Sequence, residues 1–163
     1  MNVYNKGGIM KKKLLLIAIC VFSLFLVTGC DSSKTAITTK DFIAKAEEKG
    51  LITADVLDQF AEYDFVKEAT VAASSNGWQV EFYVLSDEEN AKSMFETNAA
   101  TFNAASDKKK NSTEVEMGNY KKIAFDTDEN YMVLTRVDNT MIYVRVPIST
   151  KEETKEFIDT LGY

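Results

Sequence analysis

The chain has 163 residues, a formal net charge of −6 and no histidine. This length has room for one domain of ordinary size. The lack of histidine excludes a Ser-His-Asp or Cys-His nucleophile system and a zinc site with histidine ligands. An acidic chain without a basic stripe argues against nucleic-acid binding, because such interfaces neutralise phosphates with lysine and arginine.

The N-terminal residues have the pattern of an export signal. Lys11, Lys12 and Lys13 form a positive segment, and residues 14–27 follow without a charge. As a helix this apolar run would span about 21 Å, which is short of the ~30 Å hydrocarbon core of a bilayer. It is therefore predicted to be the apolar region of a secretory signal rather than a membrane span.

The signal ends in Val27-Thr28-Gly29-Cys30, which resembles the lipobox of bacterial lipoproteins. The resemblance covers residues 10–31. It implies that the lipoprotein signal peptidase cuts between Gly29 and Cys30, and that the thiol of Cys30 carries a diacylglycerol with palmitate-like chains. Because two acyl chains anchor stably where one does not, the expected location is the outer face of the cytoplasmic membrane.

Removal of residues 1–29 would leave 134 residues with a net charge of −10, because the removed part carries four lysines and no acidic residue. Cys20 would leave with the signal. Acylation of Cys30 would then leave the domain without a thiol for redox catalysis or metal ligation. Met10 is an alternative start to Met1, since it would place the lysines directly at the beginning of the signal.

We interpret residues 30–37 as the lipidated cysteine with a polar tether, and residues 38–163 as a single domain. Capping signals, alternation and turn residues predict the domain's elements. In chain order these are a helix from Thr38 or Thr39 to Gly50, a helical turn over Thr53–Phe60, strands over Ala69–Ala73 and Trp78–Leu85, a helix from the Ser86 capping box to about Ala105, strands near Thr113–Met117, Tyr120–Asp126, Tyr131–Val137 and Thr140–Val146, and a helix from Ser149 to Gly162.

The predicted elements give an α+β fold with the order α-ββ-α-ββββ-α. Short strands joined by short turns indicate an antiparallel sheet of about six strands. Helices packed against one face would leave the other face free to meet solvent. The whole resembles, in size and layout, the small lipoproteins of Gram-positive bacteria.

The outward face of the sheet is the candidate surface for a ligand or partner. Gln79, Glu81 and Tyr83 alternate with apolar residues along one strand, and Tyr143 and Arg145 are expected beside them. Tyrosine and arginine on a rigid sheet are typical of recognition surfaces. The alternative is that a second layer of helix covers this face.

An acidic turn gives the closest match to a metal-binding motif. Asp126, Asp128 and Asn130 occupy the first three ligand positions of a calcium-binding loop. However, Tyr131 stands at the sixth position, which needs glycine, and Val137 at the twelfth, which needs glutamate. Aspartate and asparagine are also favoured in hairpin turns. We therefore predict no metal and no cofactor.

These features favour a membrane-anchored extracytoplasmic binding or protein-interaction module without catalytic activity. The expected partners are the membrane, through the lipid anchor, and an envelope protein or small ligand, but not nucleic acid. One alternative is a cell-envelope enzyme, or an accessory subunit of one, that works through carboxylates alone. Another is a small-ligand receptor for a transporter, although 134 residues are few for two lobes and a hinge.

Overall fold

The computed structural model of the chain describes residues 33–104 and 109–163. The predictions for the signal sequence, for Gly29 and Cys30, and for the choice of start lie outside the described residues and stay predictions. Within the described part, no helix has the length and apolarity that a membrane span requires.

The described residues form three helices, seven strands and two 3₁₀ turns. The helices are α1 (Thr39–Glu48), α2 (Glu88–Ala104) and α3 (Lys151–Leu161). The strands are β1 (Ile52–Asp55), β2 (Val66–Ala73), β3 (Gln79–Leu85), β4 (Lys110–Met117), β5 (Tyr120–Asp126), β6 (Asn130–Val137) and β7 (Thr140–Pro147). The 3₁₀ turns cover Leu57–Phe60 and Ile148–Thr150.

All seven strands belong to one antiparallel sheet with the order β1-β2-β3-β7-β6-β5-β4. Two meanders, β1 to β3 and β4 to β7, join where β3 pairs with β7. The predicted α+β class and the antiparallel sheet are confirmed. The sheet has seven strands rather than the predicted six. The additional strand is β1, because residues 52–55 pair with β2, whereas a helical turn was predicted over 53–60.

Helices cover both faces of the sheet. On one face, α1 and α3 bury an aromatic cluster in which Phe42 stacks on Phe82 at 5.0 Å between ring centroids. On the other face, α2 packs through Phe95 and Phe102 onto a second cluster that includes Phe125. Of the two alternatives for the outward face, the second layer of helix is therefore the one found, because the central strands carry apolar side chains on both faces.

The first helix begins at the predicted capping box and the second begins one residue later than predicted. Thr38 Oγ1 accepts the Asp41 backbone N–H, and the Asp41 carboxylate accepts the Thr38 N–H, both at 3.2 Å. At α2 the cap is Asp87 rather than Ser86, since Asp87 Oδ1 accepts the Asn90 N–H at 2.8 Å. Either residue type satisfies an N–H group that the first helical turn leaves free.

Part of the predicted tether lies against the domain. The Lys34 backbone N–H donates to Asn119 Oδ1 at 2.9 Å, and Asn119 Nδ2 donates to the Lys34 carbonyl oxygen at 2.7 Å. Ala36 and Ile37 pack against the core under α1 and α3. Residues 33–37 are therefore held on the folded domain.

Candidate functional site

A groove of about 600 Å³ opens on the face of the sheet that α2 covers. We call it the Glu81 groove, after the carboxylate on its floor. Its floor comes from β3 and β7, one wall from α2, and the other wall from the segment between β1 and β2.

The floor results from the pairing of β3 with β7. Glu81 lies opposite Tyr143, and Tyr83 lies opposite Met141. Alternate residues of a strand point to the same face of a sheet. The pairing therefore gathers two tyrosines, a methionine and a carboxylate on one small area.

The α2 wall follows from helical spacing. One stripe of the helix, with Ala91 and Phe95, is buried in the core. A neighbouring stripe, with Asn90, Met94 and Asn98, lines the groove. Residues four apart share a helix face, so the packing of the apolar stripe places a methionine between two amides at the groove.

The opposite wall is aromatic. Phe60 meets the ring of Tyr83 edge-on at 5.3 Å between centroids, and Tyr63 meets Phe65 at 5.7 Å. The Tyr63 residue is 51% exposed, whereas Tyr83 is 5% exposed. The wall therefore offers the solvent-exposed ring of Tyr63, while Phe60 packs against the buried ring of Tyr83 on the floor.

Glu81 carries the negative charge of the groove. Tyr83 Oη donates to Glu81 Oε2 at 2.5 Å, and Gln79 Nε2 donates to Glu81 Oε1 at 3.1 Å. Burial, together with this bond to Glu81, raises the pKa of the Tyr83 hydroxyl, which stays protonated and donating at neutral pH. Among the described residues, no lysine or arginine forms an ion pair with Glu81.

Tyr143 brings a second hydroxyl to the floor. Its ring packs against Phe102 at 5.0 Å. Burial and the Glu81 charge raise the pKa of the Tyr143 hydroxyl, while Arg145 acts in the opposite direction. No side chain in the described part hydrogen-bonds this hydroxyl, which leaves it free to meet a ligand.

The structure brings three of the five predicted surface residues together. Glu81, Tyr83 and Tyr143 line the groove. Gln79 is exposed and touches the groove only through its bond to Glu81, and Arg145 is exposed outside the lining.

Two walls were not foreseen. Met94 packs against the second core cluster and also lines the groove, and the sequence assigns no role to the aromatic residues of 60–65. These residues line the groove only because of where α2 and the 3₁₀ turn Leu57–Phe60 lie on the sheet.

The acidic turn is occupied by the chain's own cations. Asp126 Oδ2 accepts hydrogen bonds from Lys151 Nζ and Asn111 Nδ2, each at 2.7 Å, and Asp128 pairs with Lys110. Burial opposes ionisation of Asp126, but the bonds from Asn111 and Lys151 outweigh it and lower its pKa. The described residues hold no group of three acidic or thiol side chains placed to bind a metal ion.

In comparisons with known proteins, no family model matches this chain, and no curated protein or solved structure is significantly similar to it.

Proposed function

We propose that this chain is a membrane-anchored extracytoplasmic protein that binds a small ligand in the Glu81 groove and leaves it chemically unchanged. The observation that carries the proposal is the groove itself, with about 600 Å³ of space between fixed elements of the fold. Small-molecule sites are typically concave, largely preformed and mostly apolar, with a few polar groups that orient the ligand.

The groove offers several kinds of polar group to a ligand. Glu81 supplies a charge and Tyr143 a hydroxyl. Asn98 donates through Nδ2 to the Met94 carbonyl at 2.8 Å, which leaves its amide oxygen as an acceptor. Such a set can fix the orientation of a ligand whose apolar part rests on the aromatic wall.

The carboxylate content of the groove favours binding over acid–base chemistry. A carboxylate-only enzyme needs an acid and a base that converge on the reacting bond. Among the described lining residues, Glu81 is the one carboxylate. Both of its oxygens already accept hydrogen bonds from the chain, Oε2 from Tyr83 and Oε1 from Gln79.

The location in the proposal rests on the lipobox. The apolar run, the small residue Gly29 and the thiol of Cys30 support export and lipidation. The groove would then be presented to solutes outside the cytoplasmic membrane.

A thermal-unfolding screen of residues 31–163 tests the proposal, because residues 33–163 form one compact unit. The panel contains amines, amino acids, sugars, short peptides and fatty acids. A ligand at about 100 times its Kd stabilises by ~2.7 kcal/mol, which raises Tm by several degrees in a domain of this size. We expect at least one class to give such a shift.

Two matched variants test whether the ligand binds in the groove. Asn98→Tyr inserts a ring between the walls and is expected to abolish the shift. Asn103→Tyr makes the same change on the exposed side of the same helix and is expected to retain it. A panel without any shift, or a shift that survives Asn98→Tyr, would contradict the proposal.

A further inference from the structure

We infer that the ligand of the Glu81 groove is an organic cation, with an ammonium group carried on an apolar body. The inference rests on the proposed function and specifies the ligand class. It follows from three properties of the groove: its unpaired charge, its aromatic lining and its volume.

The first property is the carboxylate without a counter-ion. Glu81 is half-buried, and its hydrogen-bond donors, Tyr83 and Gln79, are both neutral. Removing a charge from water is costly unless an opposite charge or further hydrogen bonds compensate it. A bound ammonium group would supply that charge, whereas an anionic ligand would be repelled.

The second property is the aromatic lining. Phe60, Tyr63, Phe65, Tyr83 and Tyr143 all face the groove, and the faces of such rings attract cations within about 6 Å. Elsewhere among the described residues, four aromatic rings already have a lysine ammonium over them, at 4.3 to 5.5 Å from the centroid. In the described part, no lysine or arginine lines the groove. The exposed ring of Tyr63 and the partly exposed rings of Phe60, Phe65 and Tyr143 are thus left for a cation that comes from outside the chain, whereas Tyr83 is buried.

The third property is the volume. About 600 Å³ is far larger than an ammonium group requires, since one water molecule occupies about 30 Å³ of liquid. Met94 and Met141 add flexible apolar surface that adapts to irregular shapes. A cation with an alkyl or aryl body would fill this space, whereas an inorganic ion would not.

Isothermal titration calorimetry of residues 31–163 tests the inference with three probes of the same chain length. These are hexyltrimethylammonium, hexanol and hexanoate. We expect the cation to bind at least about tenfold more tightly than the alcohol, and hexanoate to give no binding. The affinity for the cation should also fall as the salt concentration rises.

Three variants locate the effect. Glu81→Gln keeps a hydrogen-bond acceptor for Tyr83 and removes the charge, so it should weaken cation binding about tenfold. Glu89→Gln removes an exposed charge on α2 outside the lining and should leave affinity unchanged. Tyr63→Leu places an apolar side chain at a position that is 51% exposed, and should weaken binding about two- to fivefold through the lost ring.

The outcomes separate the two proposals. If hexanol binds as tightly as the cation, or Glu81→Gln binds it as tightly as the wild type, the cation inference is overturned. The proposed function would still stand in that case if Asn98→Tyr abolishes the binding. If none of the three probes binds at millimolar concentration, the cation inference is overturned, and the broader screen decides the proposed function separately.

Discussion

At the scale of single residues, Arg136 is the most deeply buried charged side chain of the described part. Its side chain is 2% exposed, and Nη1 donates to Glu88 Oε1 at 3.2 Å and to the Asp138 carbonyl at 3.3 Å. A buried charge destabilises a core unless its partners compensate it. The position of Arg136 within the predicted strand could be foreseen, but not its burial, because burial depends on α2 crossing that face.

Two replacements of Arg136 should separate the contribution of its packing to the free energy of unfolding from the contribution of its charge. Arg136→Ala leaves a large cavity and removes both hydrogen bonds, and we expect it to lower the free energy of unfolding by roughly 3 kcal/mol or more. Arg136→Met fills the space without a buried charge and should lower it by only about 1 kcal/mol. Urea unfolding measures both changes.

Arg145 provides the control for this pair of variants. It lies on the neighbouring strand but is exposed, so Arg145→Ala should change stability by less than about 0.5 kcal/mol. An Arg136→Ala variant as stable as Arg145→Ala would mean that the buried guanidinium contributes nothing to the fold.

At the scale of elements, the strands that the sequence predicts well are those with a buried side. The bounds of β5, Tyr120–Asp126, match the prediction, since its side chains meet a core on both faces. β1 was missed because it lies at the edge of the sheet and buries little. Residues 52–55 alternate apolar and polar side chains, but none of them is buried and Ile52 is 74% exposed. Four residues are too few for this alternation to identify a strand, and their pairing with β2 is what makes them one.

Asn119 holds the segment ahead of α1, residues 33–38, on the domain through hydrogen bonds to Lys34. Besides its two bonds to Lys34, Asn119 Nδ2 donates to Asp138 Oδ1 at 2.8 Å, so it ties three chain segments together. Asn119→Ala removes these bonds and should lower stability by about 1–3 kcal/mol. Hydrogen exchange should show a larger loss of protection over residues 33–38 than anywhere else in the domain.

Asn103 serves as the control for this substitution. Asn103→Ala makes the same change at an exposed position of α2, where alanine is the better helix former. It should leave exchange over residues 33–38 unchanged. Unaltered exchange there in Asn119→Ala would instead indicate that this segment is the free tether that the sequence predicts.

At the scale of the whole molecule, the groove shows what a sequence can and cannot place. Strand alternation puts Glu81, Tyr83 and Tyr143 on one face, and the sheet order then brings them together. The walls come from α2 and from residues 60–65, which are distant in sequence from one another. Their positions are set by how the two meanders share a single sheet, and no local pattern encodes that arrangement.

For the proposed lipoprotein, the charge of the whole molecule predicts that membrane attachment depends on the lipid. The mature chain would carry a net charge of −10, which anionic headgroups repel. Attachment of the mature protein should therefore depend on the acyl chains at Cys30.

Substitution of the two cysteines tests this dependence. Cells that express the full chain are labelled with radioactive palmitate, and the protein is then recovered from the membrane fraction. The wild type and Cys20→Ala should both incorporate label and have the mass of a diacylated chain that begins at Cys30, because Cys20 lies within the apolar run. Cys30→Ala should incorporate no label and keep its signal sequence, since it offers no thiol to acylate. Label in Cys30→Ala, or a wild-type mass without acyl chains, would show that the protein reaches its location by another route.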